Sequence, residues 1–308
     1  MKNVVVIGGG HGQSIILHGL KNIKDINLTA IVAISDDGGS TGRLRNIYNI
    51  PAVGDIRNVM LSLAEDNNLI YELMDYRFKG DNEEDVEGHS LGNLILTALL
   101  EKNESLEESI SVLSSYLKVK GDVVPVSNEV VSLFATMDDG CIVKGEKNIP
   151  NINHHVEKVF YDHDVKANKK AIKAILEADI VIYGIGSLFT SILPIVIIKE
   201  INEALQKTKA KKIYMANCMT QNTETFDFDL KAHEDALLKH NTPLDLIITH
   251  NNIIPENIKE KYLKENSIEV IDNRNTITKV IAKDLLDFSS GLVRHSSEKI
   301  QKAIEELL

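Results

Sequence analysis

The chain opens with Lys2–Gly8, a continuous apolar run of the kind buried on both faces of a parallel sheet. A helical pattern over about 13–21 and a second apolar run over about 28–35 complete a βαβ opening. Residues 55–117 then read as helices, over about 55–64, 69–74, 91–100 and 106–117. The acidic piece 80–87 between them reads as a solvated loop. Residues 121–163 change character. Val123–Val126, Val130–Thr136, Cys141–Val143 and Val156–Tyr161 are β-rich, and Asp139-Gly140 is a hairpin signal. These predict a small antiparallel unit inserted in, or appended to, the sheet. Alternation resumes with a helix over 166–178. Strands follow at 180–184, 212–218, 244–250 and 268–271. Ile300, Ile304, Leu307 and Leu308 share one face of a last helix over about 296–308.

The pattern predicts an α/β fold. It is a Rossmann-like, doubly wound, mostly parallel sheet forming a single domain over 1–308. A helical insertion occupies about 55–117 and a β-rich insertion about 121–163. Length alone is a soft prior for two domains. Ile180–Ile198 carries no charge over its 19 residues and imitates a membrane span. Gly184, Gly186, Ser187, Thr190, Ser191 and Pro194 interrupt it, so it reads as strand, glycine turn and helix. Neither Cys141 nor Cys218 sits in a C-x-x-C pair, which fits a reducing compartment. The first residues lack a signal peptide's small-residue cleavage site. The expectation is a cytoplasmic protein with no membrane insertion.

Composition changes this picture in one respect. Forty-five acidic residues against 34 basic ones give a formal net charge of −11, which argues against nucleic acid as a partner. The chain has six arginines, and Arg43, Arg45 and Arg57 fall within fifteen positions; nine of its 18 glycines lie at or before Gly54. An acidic chain that gathers Arg and Gly at one end predicts a local anion site there.

Four segments carry the candidate chemistry. Gly8-Gly9-Gly10-His11-Gly12 follows the first strand, where glycine lets the backbone approach a ligand and the next helix offers free N–H groups to an anion. Gln13 stands where a dinucleotide fingerprint requires glycine. Ser35–Arg45 ends the second strand. There Asp36 and Asp37 suit a hydroxyl or a divalent metal, Gly39, Ser40 and Thr41 offer donors, and Arg43 and Arg45 neutralise phosphate. Asp55 reads either as a helix N-cap or as a ligand, with Arg57 and Asn58 in the first turn facing the site. Gly184-Ile185-Gly186-Ser187 is a second strand–glycine turn–helix unit. Gly88-His89-Ser90-Leu91-Gly92 imitates a nucleophile elbow, but no strand precedes it. A helix start that puts Ser90 and Asn93 near a ligand fits better. Asn217–Thr225, at a strand end, and Arg294-His295, at the start of the last helix, are weaker candidates.

Together these segments, with Gly54–Asn58, Gly88–Leu94, Thr190–Pro194 and Met219–Gln221, resemble the gluconeogenesis factor family, a relative of the 2-phospho-L-lactate transferases. The resemblance spans nearly the whole chain. It implies a regulator that binds a nucleotide sugar, chiefly UDP-N-acetylglucosamine. Such a regulator steers carbon into cell-wall precursors during growth on non-sugar carbon sources and so affects cell shape. An amino-sugar biosynthesis enzyme is the implied protein partner, and a homo-oligomer stays open. The implied ligand set is Gly9, Gly10, His11, Gly12, Asp36, Asp37, Gly39, Ser40, Thr41, Arg43, Asp55, Arg57, Asn58, Asn93, Gly184, Gly186, Ser187 and Arg294, with no cofactor required for binding. The transferase branch implies instead an enzyme moving a phospholactyl-like or nucleotidyl group, with Mg²⁺ at Asp36 and Asp37. An NAD(P)-dependent oxidoreductase is a third reading. Gln13 counts against it, and NAD(P) stays open as a ligand only. Two departures from the family pattern stand out: Asn222-Thr223 replaces a Pro-Gly turn, and Ser296 replaces an acid after Arg294-His295. The second favours binding over catalysis. Ser296 and Ser297 are candidate phosphorylation sites.

Overall fold

The structure, a computed structural model, describes residues 1–65, 69–80, 85–103, 105–151, 154–222 and 224–308. Seven parallel strands form the main sheet. The first half builds outward from the centre. It runs through β1 (Lys2–Gly8), α1 (Gly10–Leu20) and β2 (Ile26–Val32) to the helices α2 (Gly39–Tyr48), α3 (Gly54–Leu63), α4 (Leu69–Asp75), α5 (Leu91–Asn103) and α6 (Leu106–Leu117), and ends at the edge strand β3 (Asp122–Pro125). A separate antiparallel sheet follows, made of β4 (Leu133–Met137), β5 (Ile142–Lys144) and β6 (Val156–Tyr161), with a 3₁₀ turn at Glu146–Asn151.

The chain then returns to the far side of β1. It adds α7 (Lys169–Leu176), β7 (Ile180–Tyr183), a π-helical turn at Leu188–Ile192, α8 (Leu193–Val196), α9 (Lys199–Lys207), β8 (Lys211–Met215), α10 (Leu230–Lys239), β9 (Leu246–His250), α11 (Glu256–Leu263) and β10 (Val280–Lys283). The short strands β11 (Leu286–Asp287) and β12 (Arg294–His295) pair before α12 (Ser297–Glu305). The sheet order is β3-β2-β1-β7-β8-β9-β10. The direction of winding reverses between β1 and β7, so the crevice there, at the carboxyl ends of the strands, is the expected ligand position.

Period-two alternation explains the layering. Val4 and Val6 face a core shared with Ile16, Leu17, Met60 and Ile300, while Val5 and Ile7 face one shared with Ile175, Tyr183, Ile201 and Tyr214. Both faces of β1 are covered, which is why its sequence is unbroken apolar. Where α1 crosses α12, a Cβ on Gly19 would overlap the Ser297 carbonyl oxygen. Gly-to-Ala inside a helix ordinarily stabilises by up to about 1 kcal/mol. Here the sign reverses, and Gly19→Ala is expected to lower stability by about 1–3 kcal/mol in urea unfolding because the overlap is with backbone.

Several elements differ from their sequence reading. The helix expected at 13–21 starts at Gly10, so the Gly10-His11-Gly12 segment is its first turn. Residues 39–48, to which the sequence pattern assigned no element, are helical despite two glycines, and a Cβ on Gly42 would overlap the Asp37 carbonyl oxygen. The expected strand 123–126 pairs in parallel with β2 as the edge of the main sheet, so the antiparallel unit holds only the later strands. Residues 268–271 supply a single bridge, Met219 to Glu269, and the sheet is completed by β10 instead. Of the acidic loop at 80–87, positions 81–84 lie outside the described residues, as does Thr223 of the altered turn. The charge-free stretch divides into β7, the π-helical turn and α8, and among the described residues no helix is long and apolar enough to cross a membrane.

Candidate functional site

The crevice at the β1/β7 switch point has a volume of about 330 Å³ and is lined by Gly9–Gly12 on one wall and Gly186, Ser187 and Thr190 on the other. Glu146 and Glu224 close its rim. Glycine is required at the contact between the walls, since a Cβ on Gly12 would overlap the Ile185 carbonyl oxygen and lie 2.9 Å from Gly186 Cα. Gly9 is the extended N-cap of α1, and no side chain caps that helix. Its first-turn N–H groups therefore open onto the crevice with the positive end of the helix dipole behind them. Gln13 lies beneath. Its Nε2 donates to the carbonyls of Val6 (2.9 Å) and Ile31 (3.0 Å), stitching β1 to β2 where the dinucleotide fingerprint leaves a bare glycine.

The second wall spends its polar groups on itself. Gly184 N donates to Ile7 O at 2.8 Å, and Gly186 exchanges two hydrogen bonds with the Asn217 side chain, at 3.2 and 2.9 Å. Ser187 Oγ donates to Glu224, accepts from Thr190 N at 2.9 Å, and caps the π-helical turn. Glu224, buried, also accepts from Phe189 N at 3.0 Å. The Gly184 and Gly186 N–H groups are thus satisfied and the second wall gives shape, while α1 opens its first-turn N–H groups to the crevice.

An acidic floor lies beside α1. A Cβ on Gly9 would overlap Asp55 Oδ2, and one on Gly10 would lie 3.1 Å from Asp55 Oδ1. Val53 is the N-cap of α3, so Asp55 is a first-turn residue and not the cap. Burial pushes the Asp55 carboxyl up to about 8, with Asp36 and Glu146 adding like charge and Arg57 opposing it. Burial and Asp36 likewise lift Glu146 to about 7, against a hydrogen bond from Thr190. Asp36 is raised by burial, although Gly38 N (2.9 Å) and Thr41 donate to it. Three carboxyls that hinder one another's ionisation form a site that favours an added cation or shared protons. Their oxygens suit a hard ion such as Mg²⁺.

Asp36 and Asp37 do not converge. Asp37 Oδ1 accepts from Lys147 N at 2.8 Å and its carboxylate turns toward Gly145. It lines a separate pocket of about 540 Å³ with Gly39, Ser40, Arg43, Arg77 and Lys147. The like charge that acts with Asp36 is Asp55, which lies directly behind Gly9 and Gly10 of the crevice wall. Ser40 is buried, with Oγ 2.8 Å from His89 Nδ1 and accepting from Asn93 Nδ2 at 3.1 Å, so the segment 88–93 braces the start of α2. Ser90 is fully buried.

The arginines divide by role. Arg43 reaches Glu87 O at 2.6 Å on the rim of the second pocket. Arg45 is buried, donating to the carbonyls of Ser35 (3.1 Å), Asp36 (2.7 Å) and Val131, and so clamps the exit of β2. Arg57 is buried and donates to Asn58, its stem against Gly92. Arg294 is exposed in β12 and not in the last helix. It faces His11 across a third cavity of about 700 Å³, which continues the crevice past His11. Ser296 caps α12, accepting from Lys299 N at 3.4 Å.

Glu146, Arg77 and Lys147 were not singled out from the sequence. Glu224, which sits in a flagged motif, proved to be the strut of the second wall. A larger cavity, about 810 Å³, lies at the opposite end of the sheet among Asn3, Ile26, Asn27 and Asp122. The amino ends of parallel strands lack the helix N-termini that bind anions, so size does not make it the site.

Residues 4–286 match the family described as 2-phospho-L-lactate transferase CofD. The chain is 38% identical to the gluconeogenesis factor of Halalkalibacterium halodurans, covering 99% of this chain and 96% of that protein. It is 40% identical to that of Listeria monocytogenes (99% and 95%) and 38% identical to that of Bacillus subtilis (99% and 98%). A crystal structure of a UPF0052 family member from Bacillus halodurans superposes with a TM-score of 0.94 at 37% identity, covering 99% of both chains.

Proposed function

Since the chain belongs to the CofD family and, within it, groups with the gluconeogenesis factors, we propose that it binds a nucleotide sugar of the UDP-N-acetylglucosamine type as a regulator of carbon flow. The observation that carries this reading is the uncapped N-terminus of α1, open to the switch-point crevice, with Arg294 across the adjoining cavity. The diphosphate lies against the first-turn N–H groups of α1. Asp36 and Asp55 take ribose or sugar hydroxyls, and Arg294 reaches the ligand beyond His11. The bound form meets an amino-sugar biosynthesis enzyme and directs carbon toward cell-wall precursors during gluconeogenic growth, in the cytoplasm, with consequences for cell shape.

Calorimetric titration with UDP-N-acetylglucosamine is expected to give saturable heat. No heat and no thermal shift at millimolar ligand would sink the reading. Arg294→Ala is expected to weaken binding about tenfold, the loss of one charge-assisted contact. Unchanged affinity would remove that residue alone.

The acidic floor favours a second reading, a transferase of phosphorus-containing groups. Asp36, Asp55 and Glu146 are the residues that would hold Mg²⁺, which when bound neutralises a donor diphosphate. In that case the α1 N–H groups orient the donor and the two walls exclude water. Incubation with UTP- and GTP-derived donors and Mg²⁺ separates the two: tight binding without turnover supports the regulator.

A further inference from the structure

Ligating side chains gather at the tip of the β4–β5 hairpin, a few residues before the turn that carries Glu146. Met137 N donates to Cys141 O at 2.9 Å to close the turn, and Gly140 takes the left-handed φ of 84° that the tip demands. Pairing of β4 with β6 slips between Thr136 and Met137, and Asp138 N donates to His155 O at 2.9 Å. A bulge of this kind re-aims side chains. Here it brings His154 against the tip, with Nδ1 2.8 Å from Asp138 Oδ1 and Nε2 3.4 Å from Asp139 Oδ2. One ligand atom from each of these three residues falls within 4.8 Å of the others.

The two imidazole contacts differ in kind. At 2.8 Å, Asp138 makes a full hydrogen bond to Nδ1, which orients the ring and turns Nε2 toward Asp139. At 3.4 Å the second contact is long for a hydrogen bond. It matches the separation of two donors on a tetrahedral zinc-type ion, about 3.3 Å for bonds of about 2.0 Å. A carboxylate behind a ligating imidazole is the usual second partner of such a histidine. Cys141 adds a soft donor: its thiol hydrogen-bonds to the Asp139 carboxylate, and its N–H donates to Asp139 Oδ1 at 2.9 Å. The side chain is exposed at the same tip, and a bound ion would draw its sulfur in by rotation about χ1.

We propose that this hairpin tip binds a zinc-class divalent ion through His154 Nε2, the Asp139 carboxylate and the Cys141 thiolate, with Asp138 holding the imidazole in place. The mixed nitrogen, oxygen and sulfur set selects against Mg²⁺ and Ca²⁺, which take oxygen ligands. Binding releases the thiol proton to solvent. The site is independent of the acidic crevice floor, whose donors are all oxygen.

The test is titration of the chelator-treated full chain with Co²⁺ alone, followed by Zn²⁺ in competition. One equivalent is expected to give tetrahedral d–d bands and a thiolate-to-cobalt charge-transfer band, both erased by Zn²⁺. Cys141→Ser should lose the charge-transfer band, His154→Ala should lose binding, and Asp138→Asn should weaken it about tenfold or more. All three positions are exposed, so the variants are expected to melt with the parent. Absence of a thiolate band overturns the proposal. So does a band that survives Cys141→Ser, which would point to Cys218 beside His295, and so does unchanged binding in His154→Ala.

Discussion

Gly12→Ala is expected to weaken nucleotide-sugar binding about a hundredfold and to lower stability by about 3 kcal/mol. The new methyl would overlap the carbonyl oxygen of Ile185 and press on Gly186 Cα, both backbone atoms of the opposite wall. Neither can turn aside as a flexible side chain could. The β1–α1 turn and the β7 turn must separate, and each is anchored: Gly184 N to Ile7 O, Gly186 to Asn217. Overpacking against fixed groups costs about 1–3 kcal/mol, and here it falls at the upper end. Parting the walls also moves the α1 N–H groups relative to Arg294. Losing one or two hydrogen bonds to a charged group, at about 1.5–3 kcal/mol each, gives the hundredfold figure. Gly38→Ala is the matched control. Its φ of −86° suits any residue, and its Cβ would meet only Asp36 Oδ1, at 3.4 Å. Urea unfolding and calorimetry of both variants read the contrast; equal effects would mean that the contact between walls is not what shapes the site.

That contact was half legible in the sequence. A buried strand followed by glycines occurs twice, at Ile7–Gly10 and at Tyr183–Gly186, and period and composition alone announce both turns. Their adjacency is not local information. It follows from the order of winding, which places β7 against β1. The same limit explains Glu146. It reaches the crevice because a 3₁₀ turn of the antiparallel insertion folds back over Asp36 and Asp37, and nothing in the sequence near it signals that.

Misread elements have physical causes. The helix α2 carries Gly39 and Gly42, poor helix formers, and forms because only glycine fits against the Asp37 carbonyl. Strand β10 is only partly buried and ends in lysine, so it lacks the apolar run that marked its neighbours. Ile268–Ile271 is apolar at three of its four positions, but both of its isoleucines are exposed and it makes one bridge. The adjacent acids at 36 and 37 suggested a pair. Successive residues leaving a strand point to opposite sides, and here Asp37 turns to the second pocket while Asp36 turns toward Asp55. Arg45 looked like a phosphate ligand for want of any sign that three carbonyls inside the fold required a cation.

Asp55→Asn is expected to flatten the pH dependence of stability and to make the ligand-free protein more stable at pH 8 by about 2 kcal/mol or more. The Asp55 carboxyl is pushed up to about 8 by burial and by Asp36 and Glu146, from an ordinary value near 4 in the unfolded chain. Below about pH 4 both states hold the proton, and the contribution to stability is fully present. Between about 4 and 8 the unfolded chain gives up its proton while the folded one keeps it, so stability falls as pH rises. Above about 8 the loss is complete. Glu146, lifted to about 7, acts in the same sense over a narrower window. An asparagine at 55 keeps the shape of the carboxyl beside Gly9 and Gly10 and cannot ionise. It also removes one of the like charges acting on Asp36 and Glu146. Urea midpoints at pH 5 and pH 8 test this: the parent is expected to lose stability over that interval and the variant to lose much less. Millimolar Mg²⁺ should restore the parent at pH 8, because a cation on the floor favours the ionised carboxyls, and should restore the variant less. Parallel pH curves for parent and variant would show that the three carboxyls do not act on one another, and would remove the acidic floor as the reason for a metal.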